Sequence, residues 1–218
     1  IRQFFTDAYC RLVAMKLFAL RGSDYMRTSS VDDSRYLLYD PLVKMKVTSQ
    51  GEEVNNLLWD IISSKGFEKD TYFEMAARDI RALPKLEGTV HVNMALVIKF
   101  MKNYFFNPGE FPEIADTREP RHDAFHFAQG PTKGLGKIRF HDYRPVYSRV
   151  DLPNVRILAK QIRTFKHMLA AARPGKEQVK DIDFLLILGE LFTLAVYGQL
   201  ILENASIQSV DDDVLDRI

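Results

Sequence analysis

The sequence predicts an all-α protein, and three observations lead to this prediction. Apolar residues recur at spacings of three and four along most of the chain, which is the period of a helix with one buried face. Proline and glycine are instead concentrated in one irregular stretch, 107–154. The chain has 218 residues, of which 46% are hydrophobic and 27% charged, as in an ordinary globular protein.

The N-terminal part predicts four helices, at 4–27, from 39 or 41 to 64, at 71–82 and at 91–106. Pro41 suits the first turn of the second helix, where its missing N–H leaves no hydrogen bond unmade. Lys65 and Gly66 follow that helix and are residues that helix C-termini favour.

The C-terminal part begins with the irregular stretch 107–154, which predicts a long arm or lid with a short strand at 137–140. Two helices follow, at 155–172 and 177–205. The predicted organisation is therefore a helical bundle over 1–106, an arm over 107–154 and a helical extension over 155–218. Both ends of the chain lie within helical patterns, so we expect the chain to be part of a longer one.

Composition also restricts the compartment and the partners. The formal net charge is +1, which provides no general attraction for nucleic acid or an anionic membrane. Cys10 is the single cysteine, so a reducing, cytoplasmic location is expected. The segment 184–202 is almost continuously apolar, but Glu190 near its centre would be costly in a bilayer. A buried bundle helix is therefore expected in place of a membrane span.

Two motifs suggest ligand sites but depart from the patterns that such sites need. The stretch 130–137 imitates a phosphate-binding loop, but its spacing is one residue too long and Ile138 replaces the magnesium-binding hydroxyl. His122, Asp123 and His126 could share a helical face, but no third ligand lies at a recognised spacing. We expect a flexible hinge and a polar loop, and no metal site.

The most informative segment is 74–89, where a charged helix end meets Pro84 and then the turn Glu87–Gly88–Thr89. Glycine lets the backbone approach a ligand closely. A carboxylate held on a turn between buried helices is a candidate general base. An acidic residue here would also suit the cap of the following helix, and spacing alone favours the cap.

Residues 65–89, KGFEKDTYFEMAARDIRALPKLEGT, resemble the C-terminal helical domain of the acyl-CoA dehydrogenases. Members of that family have a Gly-Phe or Gly-Tyr, an acidic and aromatic stretch, an Arg-Asp pair and a Glu-Gly-Thr turn at this spacing. The two preceding long helices fit as well, so the resemblance covers about residues 1–106. It implies an antiparallel helix bundle.

The resemblance implies an FAD-dependent enzyme that dehydrogenates an acyl-CoA thioester between its α and β carbons. Glu87 lies at the position of the family's base, which removes the α-proton while the β-hydrogen leaves as hydride to the flavin. Leu86 and Gly88 flank this base and are the implied substrate contacts. Further implied partners are a second copy of the chain, in a homodimer or homotetramer, and an electron-transfer protein.

The resemblance also implies an FAD site shared between subunits. Ser63, Ser64 and Gly66 lie at the family's flavin-binding motif, and Thr89 and His91 lie where the family contacts the adenine side. The family motif is Gln-x-x-Gly-Gly, whereas this chain has Asp60-Ile-Ile-Ser-Ser. These departures favour an alternative, a catalytically inactive helical module for oligomerisation or interaction that derives from the same family.

Overall fold

The computed structural model describes residues 1–115, 123–128, 134–172 and 174–218. All regular secondary structure in these ranges is helical, which confirms the all-α prediction. The helices are α1 Arg2–Arg27, α2 Tyr36–Ile62, α3 Tyr72–Ile80, α4 Val90–Val97, α5 Met101–Phe106, α6 Asp123–Ala128, α7 Arg144–Ser148, α8 Pro153–Ala171, α9 Ile182–Gln208 and α10 Asp212–Leu215. Short 3-10 turns occupy Ser63–Phe67, Leu83–Lys85, Ile98–Phe100, Leu135–Lys137 and Gln178–Lys180.

The long helices α1 and α2 form an antiparallel hairpin. Arg11 near the start of α1 pairs with Glu53 near the end of α2. Closer to the connection, a Cβ at Gly22 would lie only 2.5 Å from the Val43 side chain. The glycine therefore allows the two helices to approach closely, since any larger residue would need Val43 to move.

Helix α9 packs against this hairpin and completes the core. The Tyr197 hydroxyl donates to Gln50 Oε1 of α2 at 2.6 Å, and Asn204 Nδ2 donates to the carbonyl of Leu17 in α1 at 2.8 Å. Buried side chains from 1–106 and 155–218 belong to one continuous apolar cluster. The two predicted helical units therefore share a core.

Helix α9 is the one helix in the described ranges that is long and apolar enough to cross a membrane, and 61% of its most apolar window is buried inside the fold. Its buried face includes Gly189, where a Cβ would lie 2.3 Å from Met94 Sδ. This is the packing of a core helix, the arrangement that the sequence predicts for 184–202.

The parts of 107–154 that the structure describes pack onto the helices. Phe140 is fully buried, and the Arg35 guanidinium lies 4.2 Å from the centre of the Phe111 ring. The predicted strand at 137–140 is wrong. Asn103 Nδ2 donates to the carbonyls of Gly136 and Ile138 at 2.8 Å each, so a side chain takes up backbone acceptors that a neighbouring strand would otherwise satisfy.

Candidate functional site

The turn that contains Glu87 connects the 3-10 turn Leu83–Lys85 to α4. Glu87 has φ 50° and Gly88 has φ 95°, so two successive residues adopt the left-handed region. Thr89 is the N-cap of α4, because its Oγ1 accepts a hydrogen bond from the backbone N–H of Val92 at 3.4 Å. The interpretation of Glu87 as the helix cap is therefore wrong.

Lys44 fixes this turn to α2. Its Nζ donates to the carbonyls of Leu83 and Gly88, both at 2.9 Å, and so joins the two ends of the turn. Asn93 Nδ2 also donates to the Gly88 carbonyl at 3.1 Å. The backbone on either side of Glu87 is thus held by side chains from two helices.

The left-handed conformation is costly for glutamate, since the Cβ of an L-residue crowds the backbone there by about 1–2 kcal/mol. Glu87 keeps it because Lys44 and Asn93 hold the neighbouring carbonyls. Costly conformations of this kind cluster at functional sites, where they aim a side chain in a fixed direction. The backbone that carries the Glu87 side chain is therefore held in a fixed conformation.

We expect Glu87→Gly to have a higher free energy of unfolding than Glu87→Ala, by about 1 kcal/mol. Both substitutions remove the carboxylate, but only glycine is relaxed at φ 50°. Urea unfolding of the two variants measures the difference. Equal stabilities would show that the left-handed turn is not maintained in solution.

Glu87 itself is exposed to solvent. Four cavities lie elsewhere on the surface, and Glu87 lines none of them. Its apolar neighbours are exposed too, since Leu86 keeps 55% and Val92 62% of their accessible surface. The sequence predicts a general base that is buried, but the described residues alone leave this carboxylate in contact with solvent.

The predicted flavin-binding residues divide between two places. Thr89 and the exposed His91 lie next to the Glu87 turn, whereas Ser63 and Ser64 are exposed at the C-terminal end of α2. Gly66 is buried there, and a Cβ on it would lie 2.7 Å from Trp59 Nε1. The structure thus gives Gly66 a packing role beneath the exposed serines.

These two groups contact α2 at distant points. The Glu87 turn is bonded to Lys44 and the serine turn packs on Trp59, which are separated by about 22 Å of helix at 1.5 Å per residue. The two turns are therefore attached to α2 through different residues.

The remaining sequence motifs, at 130–137 and 122–126, are only partly described by the structure. Residues 130–133, His122 and the side chain of Asp123 lie outside the described residues. His126 Nε2 lies 3.1 Å from the Met26 carbonyl and 3.1 Å from Ser29 Oγ, so it joins α6 to the end of α1. Within the ranges that the structure covers, no group of three or more His, Cys, Asp or Glu side chains could hold a metal ion.

Sequence reasoning missed a buried polar cluster centred on Glu203 of α9. Arg21 Nε and the Tyr25 hydroxyl each donate to Glu203 Oε2 at 2.8 Å. His141 Nε2 donates to Glu203 Oε1 at 2.8 Å, and Gln199 Nε2 donates to the same oxygen at 2.7 Å. All four acceptor directions of this carboxylate are thereby used inside the core.

Electrostatics keep Glu203 ionised. Burial by itself raises the pKa of this carboxyl, but the hydrogen bond from His141 and the charge of Arg21 outweigh burial and lower the pKa to about 2. Arg35 contacts the other ring nitrogen of His141, since its Nη1 donates to His141 Nδ1 at 3.0 Å. Its Nε and Nη2 donate to the carboxylate of Asp33. An acidic residue in the C-terminal half of a largely apolar helix was the sequence signal for this site.

Comparison with protein-family models, curated proteins and solved structures finds no match for this chain.

Proposed function

We propose that this chain is the C-terminal helical portion of an FAD-dependent acyl-CoA dehydrogenase, with Glu87 as the general base. The observation that supports the proposal most is the left-handed Glu87 in front of Gly88, on a turn that Lys44 ties to α2. A structural turn would relieve the strain with glycine or asparagine. Glutamate at this position is better explained by a need for its carboxylate.

The chemistry assigned to the turn is removal of a weakly acidic proton. Glu87 takes the α-proton of the thioester through a carboxylate oxygen and becomes a neutral acid. The electron pair left on the α carbon forms the new double bond as the β-hydrogen departs with its own pair. Bound FAD would supply the acceptor for that hydride. The proposal assigns backbone N–H groups of the turn as the donors to the thioester oxygen.

The FAD contacts are proposed for the exposed hydroxyls of Ser63 and Ser64, with Thr89 and His91 on the adenine side. Hydroxyl groups on an exposed turn can donate to phosphate oxygens, and Asp60 is exposed and free to point into solvent. Lys44 and Trp59, to which the two turns are attached, lie about 22 Å apart along α2, and the proposal has each chain contribute one turn to each shared FAD site.

Apolar side chains surround both turns and support coverage by another protein surface. Phe67 and Tyr72 beside the serine turn keep 74% and 82% of their accessible surface, and Leu86 beside Glu87 keeps 55%. Exposed apolar patches of this kind mark interaction surfaces. A second subunit or a further domain would remove Glu87 from water and give the base the apolar surroundings that its chemistry needs.

The proposal is tested on purified protein that contains this chain together with any natural flanking sequence. We expect it to carry the visible absorption of oxidised flavin, and we expect acyl-CoA added without oxygen to bleach it. Protein that is colourless and does not bind added FAD would contradict the proposal. If such protein still formed dimers or tetramers, it would favour the alternative of an inactive oligomerisation module.

A further inference from the structure

A surface cavity of about 970 Å³ lies between α7 and α8, away from both turns described above. Its volume is in the range of small-molecule sites. It is lined by five Lys or Arg side chains and by two Asp side chains, in a chain whose overall formal charge is only +1. Positive charge is therefore concentrated at this one concave place.

Ion pairs neutralise only part of that charge. Arg144 Nη2 lies 2.6 Å from Asp142 Oδ2, and Arg156 Nη1 lies 2.6 Å from Asp151 Oδ1. The other three cations of the lining are Lys160, Arg163 and Lys166.

These three cations follow one another on α8 at a spacing of three residues, so they are neighbours along one side of the helix over about 9 Å. Among the residues that the structure describes, Lys160 and Arg163 form no ion pair. Lys166 lies 5.5 Å from the centre of the Phe106 ring, and its charge adds to the hydrogen bond from Arg144 in lowering the pKa of Asp142. Lys160 and Arg163 are therefore the two cations of this row without an ion-pair partner in the same ranges.

Apolar side chains also line the cavity, among them Pro145, Val150 and Ala159. Tyr143, Tyr147 and Ile162 are each at most 6% exposed and line the cavity. The Tyr147 hydroxyl donates to the Ala195 carbonyl at 2.6 Å. Gly198 makes room for that ring, because a Cβ there would lie 2.6 Å from the hydroxyl. These anchored tyrosines thus support a lining in which Pro145, Val150 and Ala159 offer apolar surface to a ligand.

We propose that this cavity binds a small molecule with two linked phosphate groups and a flat apolar body, that is, a nucleoside diphosphate or a close relative. Lys160, Arg163 and Lys166 would contact the phosphates, with the guanidinium offering paired donors to one of them. The apolar side chains Pro145, Val150 and Ala159 would contact the base. The inference is independent of the proposed dehydrogenase function, since it uses neither Glu87 nor the flavin.

The test is calorimetric titration of the full chain with ADP, with adenosine and with inorganic pyrophosphate. We expect ADP to bind more tightly than either part alone, with an affinity that falls as salt is added. The double variant Lys160→Glu with Arg163→Glu should weaken ADP binding roughly tenfold or more, since two charged contacts are reversed. The matched control is Lys176→Glu with Lys180→Glu, which makes the same charge change at exposed positions outside the cavity.

Unchanged ADP affinity in the control, together with loss in the cavity variant, would establish the site. An equal loss in both variants would show general electrostatic attraction and overturn the proposal. Absence of ADP binding by the unaltered chain would overturn it as well. Circular dichroism of each variant identifies a loss of binding that is caused by misfolding. If the cavity variant misfolds, the double variant Lys160→Gln with Arg163→Gln, which removes the two charges without reversing them, replaces it with the same expectation.

Discussion

Replacing Glu87 by glutamine is expected to slow the reduction of bound FAD by acyl-CoA about 10²–10⁴-fold, the usual contribution of a general base. The amide keeps the length and shape of the side chain, and the turn at φ 50° strains both residues alike. The glutamine amide, however, cannot accept the α-proton. Stopped-flow absorbance of the flavin under anaerobic conditions measures the rate. The spectral change on thioester binding should persist, because the substitution leaves the binding surface intact.

The matched control is Glu177→Gln, which makes the same chemical change at an exposed position before α9. It should reduce flavin at the rate of the unaltered protein. If Glu87→Gln also retained that rate, another group would be the base and the assignment of Glu87 would fail. Loss of FAD in the variant would instead show that Glu87 supports the cofactor site and not the proton transfer.

Local pattern predicted the long helices well because apolar residues recur along them at helical spacing, but it placed several ends incorrectly. The second helix begins at Tyr36, earlier than the prediction of 39 or 41, so Pro41 lies inside the helix. Tyr36, Leu38 and Tyr39 are at most 5% exposed, and their burial extends the helix on the N-terminal side of the proline. Tertiary packing here outweighs the local preference of proline.

At the candidate site, too, the features made by neighbouring residues could be predicted from the sequence, whereas the contacts from other helices could not. Gly88 and Thr89 are next to Glu87, so the sequence could indicate a turn and the start of a helix at this point. The carbonyl contacts from Lys44 come from a different helix, and no periodicity identifies them. The cluster around Glu203 likewise joins side chains from α1, α9 and the segment before α7, which only the folded chain brings together.

Replacing Glu203 by glutamine is expected to lower the free energy of unfolding by about 3–5 kcal/mol, the usual result of breaking a buried ion pair. The substitution leaves the Arg21 guanidinium, whose side chain is only 5% exposed, without its main counter-charge. It also removes one acceptor oxygen from a site where several donors converge. A typical domain has about 5–15 kcal/mol of stability, so the loss is a large fraction of the total.

Urea unfolding followed by circular dichroism measures this change. The matched control is Asp151→Asn, which makes the same carboxylate-to-amide change in the pair with Arg156, where the side chains are 86% and 60% exposed. It should change the free energy of unfolding by less than about 1 kcal/mol. Equal effects of the two substitutions would show that burial does not strengthen the Glu203 cluster.

The pH dependence separates the charge of Glu203 from its packing. Its pKa is about 2 in the folded chain and 4.5 is the ordinary value expected for the unfolded chain. A carboxylate with a lowered pKa stabilises the fold fully above its unfolded pKa, and this contribution of about 3 kcal/mol disappears as the pH falls toward 2. Glutamine does not titrate, so the stability difference between the two proteins should shrink as the pH falls below 4.5. A difference that stayed constant down to pH 3 would mean that the loss comes from packing, because the ionised form would then have no advantage in the folded state.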